Sequence, residues 1–222
     1  DRYTATGADV DSGDTLTLSA SVPSWLTFTA STGVLAGTPT NDEVGSHSVT
    51  ITVTDAAGAT GSQTFSITVA NTNDAPSITS TAGTAVDEDA TYSYSITTSD
   101  VDVGDTMAIT FVCATCDDGT GTNFLSITDN GDGTATLSGI PLNEDVGSHV
   151  VTVTATDSGS ATATETFTIV VTDTNDAPTI DSTHITSATE DALYTYTITA
   201  TDPDGNEQAV YTYDATTNPD WL

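Results

Sequence analysis

Lysine is absent from the 222 residues, and Arg2 is the one arginine. That deficit argues against nucleic-acid binding, because phosphate contacts rest on Lys and Arg. It also sets the chain against an anionic membrane surface and removes Schiff-base lysines, Lys–Asn cross-links and a Walker-type phosphate lysine. No apolar run approaches the ~18 residues that a membrane helix needs. Cysteine is limited to Cys113 and Cys116 in "CATC". No second pair completes a zinc site, and no βαβ pattern accompanies them for thioredoxin chemistry. In an oxidising exterior a small local disulfide is expected, with free thiols as the alternative. Gly-x-Ser-x-Gly and His-Glu-x-x-His are missing, which removes the parts for acyl transfer and zinc proteolysis. No Asn-x-Ser/Thr sequon occurs.

What is present is acid. Thirty-two Asp and Glu residues give a formal net charge of −31, and a chain so charged repels itself unless cations neutralise it. Disorder is the other consequence of high charge, but 36% of the residues are hydrophobic and they are patterned, which favours folding.

The pattern repeats. "NDEVGSHSVTITVTD" (Asn41 to Asp55) returns 102 positions later as "NEDVGSHVVTVTATD" (Asn143 to Asp157), and "DEDATYSYSI" (from Asp87) returns at the same offset as "TEDALYTYTI" (from Thr189). "DVDSGDT" (from Asp9), "DVDVGDT" (from Asp100) and "DPDGNE" (from Asp202) form a third series, in which the middle copy carries an insertion around "CATCDDGTG". Within each copy, runs such as "SVTITVT", "TFTIVVT" and "YSYSIT" alternate polar and apolar residues, and turn residues separate them. The expected fold is all-β: tandem immunoglobulin-like, Greek-key β-sandwich modules of about 100 residues arranged end to end. Residues 1–76 form one module without its first strand, 77–178 a complete module with the CATC insertion, and 179–222 the opening part of a third. "DRYTATG" reads as the middle of a strand, so the chain is expected to be a stretch of something longer. "DNGDGT" (Asp129 to Thr134) is a hairpin turn. His47 and His149, each in "VGSH", are structural repeat positions, and Trp25 and Trp221 are matching core residues.

Carboxylates and amides gather where copies join. "NTNDAP" supplies Asn71, Asn73 and Asp74, with Asp100 and Asp102 downstream; "DTNDAP" supplies Asp173, Asn175 and Asp176, with Asp202 and Asp204 downstream. A lone Asp-x-Asp is ordinarily a turn. The co-occurrence of linker and loop at both joints points to Ca2+, which takes six to eight oxygen ligands in flexible geometry, ahead of the stricter Mg2+.

"VTVTATDSGSATATETFTIVVTDTNDAP" resembles the last two strands and linker of a cadherin repeat, and "WLTFTASTGVLAGTP" is similar to bacterial putative-Ig and dystroglycan-type cadherin-like repeats of secreted adhesin-type proteins. The resemblance implies further calcium ligands. Glu88, Asn143 and Asp145 would join the second linker; Glu43, Asn41 and Asp157 would join the first. Both linkers are one residue shorter than the cadherin pattern, and Asn71 stands where the leading Asp is usual. Weaker binding is therefore implied at the first joint. The resemblance also implies a calcium-rigidified extender or adhesion repeat of an extracellular or cell-surface protein. Its partners would be neighbouring repeats and a surface protein or polysaccharide, with no enzymatic activity. A carbohydrate- or protein-binding sandwich is one rival. Strand donation is another, with a spare strand near Asp181 to Glu190 completing a second copy head to tail.

Overall fold

A computed structural model of the chain describes residues 2–8, 15–116 and 123–204. Trp221, Glu207 and the run from Asp9 to Asp14 lie outside the described residues. The chain divides into two compact units, Asp1–Ala75 with Asp100–Asp105, and Pro76–Ser99 with Thr106–Leu222.

The first unit contains β1 (Arg2–Thr4), β2 (Thr17–Ser21), β3 (Leu26–Thr29), β4 (Val34–Gly37), β5 (Gly45–Thr54) and β6 (Thr60–Val69). They form two sheets, β1-β4-β3 and β2-β5-β6, with antiparallel pairing throughout. Alternation decides which side chains face inward: along β5, Val49 and Ile51 are buried while their neighbours are not. These two join Ala5, Leu26 and Leu35 in the core, with Trp25, Phe28, Phe65 and Ile67 packed around it. Trp25 stands edge-on to His47 at 5.7 Å between ring centroids, so it packs as the repeat position predicts.

The second unit is fuller. It holds β7 (Ser77–Ile78), β8 (Ala85–Asp87), β9 (Tyr92–Ser99), β10 (Ala108–Cys113), β11 (Leu125–Asp129), β12 (Thr134–Gly139), β13 (Gly147–Thr156) and β14 (Thr162–Thr172). The sheets run β11-β12-β9-β7 and β10-β13-β14-β8, the two-sheet sandwich that the repeats imply. Tyr92, Tyr94, Ile96 and Leu137 from one sheet meet Ile109, Val151, Val153 and Ile169 from the other in a buried core. The opening strand is split between the sheets: β7 pairs antiparallel with β9, whereas β8 crosses over and pairs parallel with β14. "DNGDGT" forms the β11–β12 turn, where Asn130 N–H donates to Thr134 O at 3.0 Å. Gly147 opens β13 at φ +138°, a conformation that L side chains avoid, and its repeat Gly45 does the same at +128°. This requirement explains the glycine in both "VGSH" copies.

Residues 179–204 contribute only the short pair β15 (Thr179–Ile180) and β16 (Ala200–Thr201). "YTYTIT" has the alternation of β9 but is not a strand, and no residue from Asp181 to Glu190, where a spare strand is expected, is a strand; β15 ends just before them. The two segments touch, Asp181 N–H donating to Thr199 O at 3.0 Å and Tyr194 Oη to Ile185 O at 2.8 Å, but among the described residues the paired ladder stops at β15 and β16. An isolated pair of strands is marginal in water.

Candidate metal centre

The second linker leaves the sandwich directly from β14. Because β8 runs parallel beside β14, the chain beyond β8 travels with the linker: Glu88 N–H donates to Thr172 O at 3.0 Å. The Glu88 side chain turns the same way, and its Oε1 accepts from Thr174 N–H at 2.5 Å. Glu88 is 3% exposed, yet its Oε2 has no hydrogen-bond partner among the described residues. A buried carboxylate oxygen without a donor is costly unless something positive meets it.

Two further carboxylates face it. One oxygen from each of Glu88, Asp173 and Asp204 lies within 4.8 Å of the other two. Calcium–oxygen bonds of ~2.3–2.6 Å place ligand oxygens at separations of this order. Asp204 is held from three sides. Its Oδ2 accepts from Asp176 N–H at 2.7 Å, its Oδ1 from Asn143 Nδ2 at 3.1 Å, and its own N–H donates to Asp202 Oδ1 at 3.2 Å. Asn175 Nδ2 closes the linker on Asp176 O at 3.0 Å. Asp145 ends the one-turn 3-10 helix Asn143–Asp145, and there its Oδ2 accepts from Leu142 N–H at 3.0 Å. Asp145 therefore shapes the turn that presents Asn143 and stands outside the three-carboxylate cluster.

The first linker repeats this scaffold within the first unit. Asp102 Oδ2 accepts from Asp74 N–H at 2.7 Å, Asp102 N–H donates to Asp100 Oδ1 at 2.8 Å, and Asn73 Nδ2 donates to Asp74 O at 3.1 Å. Here Asn41 Nδ2 meets Asp74 Oδ2 at 2.7 Å. Asp100 Oδ2 and Asp102 Oδ1 are buried without a hydrogen-bond partner among the described residues. Asn71 lines a cavity of about 410 Å³ with Asn41, Asp42 and Val44. Glu43 folds onto its own turn, accepting from Thr40 N–H at 2.8 Å and Thr40 Oγ1 at 2.7 Å; the backbone bond first, then the hydroxyl, hold it below the usual carboxylate range. No described residue of the first unit plays the part of Glu88. Asp157 belongs to the second unit, where it is buried and its Oδ1 accepts from Ala161 N–H at 2.7 Å. Asp55 makes the same 2.7 Å bond to Ala59 N–H.

Sequence reasoning overlooked the Thr174 amide as the Glu88 anchor, because a backbone donor carries no residue signature. Cys113 and Cys116 are joined as a disulfide.

The sequence profile of a family described as Putative Ig domain matches residues 2–70 and 75–172. The chain belongs to this family. Among solved structures, the Putative Ig chain is similar to the Protocadherin GammaB4 extracellular domain at 20% identity and a TM-score of 0.56, over 85% of this chain and 32% of that one. It is also similar to the Protocadherin gammaB7 EC3-6 cis-dimer structure, at 20% identity and a TM-score of 0.54, over 84% and 49%. A stretch of the endo-fucoidan hydrolase MfFcnA4 from glycoside hydrolase family 107 matches at 27% identity and a TM-score of 0.37, over 73% of this chain and 24% of that one. The chain thus spans between a quarter and a half of the length of these structures. No curated protein matches it. The sandwich is cadherin-like in fold, and no helix among the described residues is long and apolar enough to cross a membrane.

Proposed function

We propose that the chain is a set of calcium-stiffened extender repeats of a secreted or surface protein, with Ca2+ bound at the linkers and no catalytic role. The observation that carries the reading is the Glu88 carboxylate, buried with an undonated Oε2 and facing Asp173 and Asp204. The residues fit a calcium ion. They offer hard oxygen donors from one end of the sandwich, the linker and the Asp-x-Asp loop, with no nitrogen or sulfur ligand that would select a softer metal. Without a cation, two unit charges at this separation repel by about 3–4 kcal/mol at an effective dielectric of ~20. With it, the linker, β8 and the Asp202–Asp204 loop are tied to one centre. Partners in this reading are calcium, the neighbouring repeats, and a surface protein or polysaccharide.

Extracellular modules bind calcium at roughly 10⁻⁴–10⁻³ M, and a ligand at ~100 times its Kd adds about 2.7 kcal/mol. Calcium titration by calorimetry, with melting curves in calcium and in EDTA, tests the reading. Heat of binding and a raised Tm are expected; an identical Tm in both, with no binding heat, defeats it.

A second reading rests on a different observation. Beside β6 the first unit has an open groove of about 480 Å³ lined by Tyr3, Trp25, Leu26, Leu35, Phe65 and Ile67, whereas the matching strand β14 is flanked by β8. The buried Trp25 indole N–H next to it has no partner among the described residues. The Ser187–Thr189 segment of another copy, the repeat of Ala85–Asp87, fits that role by strand addition. A mass by light scattering that stays monomeric across concentration rules it out.

A further inference from the structure

The sequence offers no second cysteine pair or nearby histidine to complete a metal site with CATC. The fold supplies a third ligand from 33 residues further on. Cys113 ends β10, where its Cα pairs with Val151 of β13. His149 lies two residues before Val151 on the same inward face of β13. The chain turns through Ala114 and Thr115 and brings Cys116 back over the histidine. The two sulfurs and a His149 ring nitrogen all lie within 4.8 Å of one another. Cys116 is fully buried and His149 is 6% exposed, and Phe124 covers the imidazole edge-on at 5.2 Å.

The ring is already oriented. His149 Nε2 lies 2.6 Å from Asp145 O, and Nδ1 lies 2.7 Å from Thr115 O. Both partners are carbonyls, which only accept, and the tautomer decides which ring nitrogen presents the N–H. The Nε2 bond is a repeat feature, because His47 Nε2 meets Glu43 O at the same 2.6 Å. A ring N–H fixed on a backbone carbonyl is the usual support behind a metal-bound histidine, since it leaves the opposite nitrogen free to ligate. In the second unit that nitrogen is Nδ1, which sits on the carbonyl of Thr115 between the two cysteines and becomes a ligand by leaving this 2.7 Å contact.

We propose that Cys113, Cys116 and His149 Nδ1 form a latent site for a thiophilic divalent cation of the Zn2+ class, opened by reduction of the disulfide. A dithiol reductant breaks the S–S bond, takes the sulfur pair's place as a disulfide itself, and leaves two protein thiols. The cation then binds two thiolates and Nδ1, which leaves Thr115 O; the two thiol protons, with any proton carried by Nδ1, pass to solvent. The C-x₂-C spacing is that of a zinc half-site, and a fourth position stays open to water. Disulfide and metal exclude each other, so the cluster holds one or the other. This centre is separate from the carboxylate cluster and does not depend on calcium binding there.

The probe is Cd2+, added to the whole chain in excess Ca2+ so that carboxylates are saturated, after reduction by a water-soluble phosphine. One Cd2+ per chain with a thiolate-to-cadmium ultraviolet band is expected in the reduced protein, and none in the oxidised one. Cys113→Ser with Cys116→Ser abolishes the band. His149→Asn weakens binding by at least ~10-fold, the scale seen for losses around metal sites. Imidazole NMR of the reduced wild type needs no variant: the His149 resonances move with Cd2+, while those of His47 and His184 stay. Absence of the band in the reduced protein, or a band that forms with the His149 resonances unmoved, overturns the proposal.

Discussion

Glu88 acquires its task from the strand that it follows. Glu88 follows β8, and β8 reaches the second linker only because it runs parallel to β14. Removing the charge by Glu88→Gln keeps the shape and the Thr174 contact. It should weaken calcium binding by roughly ten-fold or more, as ligand charge sets affinity in such sites, while the Tm in EDTA stays or rises. An unchanged calcium affinity would show that Glu88 is not a ligand. A different buried group governs alkaline stability. Burial first, then the hydrogen bond that Tyr94 donates to Glu165 at 2.6 Å, push the Tyr94 phenol up to about 12 from 10.0; burial does the same to Tyr92. A raised folded pKa means that the contribution is whole below the unfolded value and fades as pH climbs from about 10 through 12. Urea midpoints should be flat near neutrality and fall across that window. The fall should shrink in Tyr94→Phe, and a slope equal to that of wild type in this variant would disprove the assignment.

At the scale of elements, the long strands were legible because Thr, Val, Ile and Tyr alternate for eight or more residues in β5, β9, β13 and β14, and the register follows from the repeat. Gly45 pairs with Val69 as Gly147 pairs with Val171. Periodicity is necessary for a strand but does not supply its partner. "YSYSIT" is β9 because β12 and β7 flank it; "YTYTIT" has the same order of polarity, with Thr in place of Ser, but no strand flanks it among the described residues and it is irregular. The linker carboxylates were legible from the repeated Asn-Asp-x-Pro. The Asp145 role was not, because only geometry shows its Oδ2 turned back to Leu142 N–H. The small residue that ends β12 is likewise explained by approach, not by dihedral angle. A Cβ on Gly139 would stand 1.8 Å from Phe124 O, and one on the matching Gly37 would stand 2.2 Å from Trp25 O. Backbone cannot yield as a side chain can, so Gly139→Ala should cost about 1–3 kcal/mol, read from denaturant unfolding. A neutral result would mean that the β11–β12 edge is free to separate.

At the scale of the molecule, the −31 charge predicts that any salt stabilises the fold, because screening shortens the reach of like-charge repulsion to ~8 Å at 0.15 M ionic strength. A rise of Tm with calcium alone would therefore not separate a site from an atmosphere. Two controls do. Sodium chloride matched in ionic strength supplies the screening without the valence, and magnesium supplies the valence without tolerance for a crowded, irregular oxygen shell. If calcium is held by Glu88, Asp173 and Asp204, then millimolar calcium should raise the Tm well beyond both. Glu88→Gln should bring the calcium curve down towards the magnesium curve, leaving the response to sodium chloride intact. Superimposable calcium and magnesium curves would assign the whole effect to general screening, and the acid-rich linkers would then be solvated turns and nothing more.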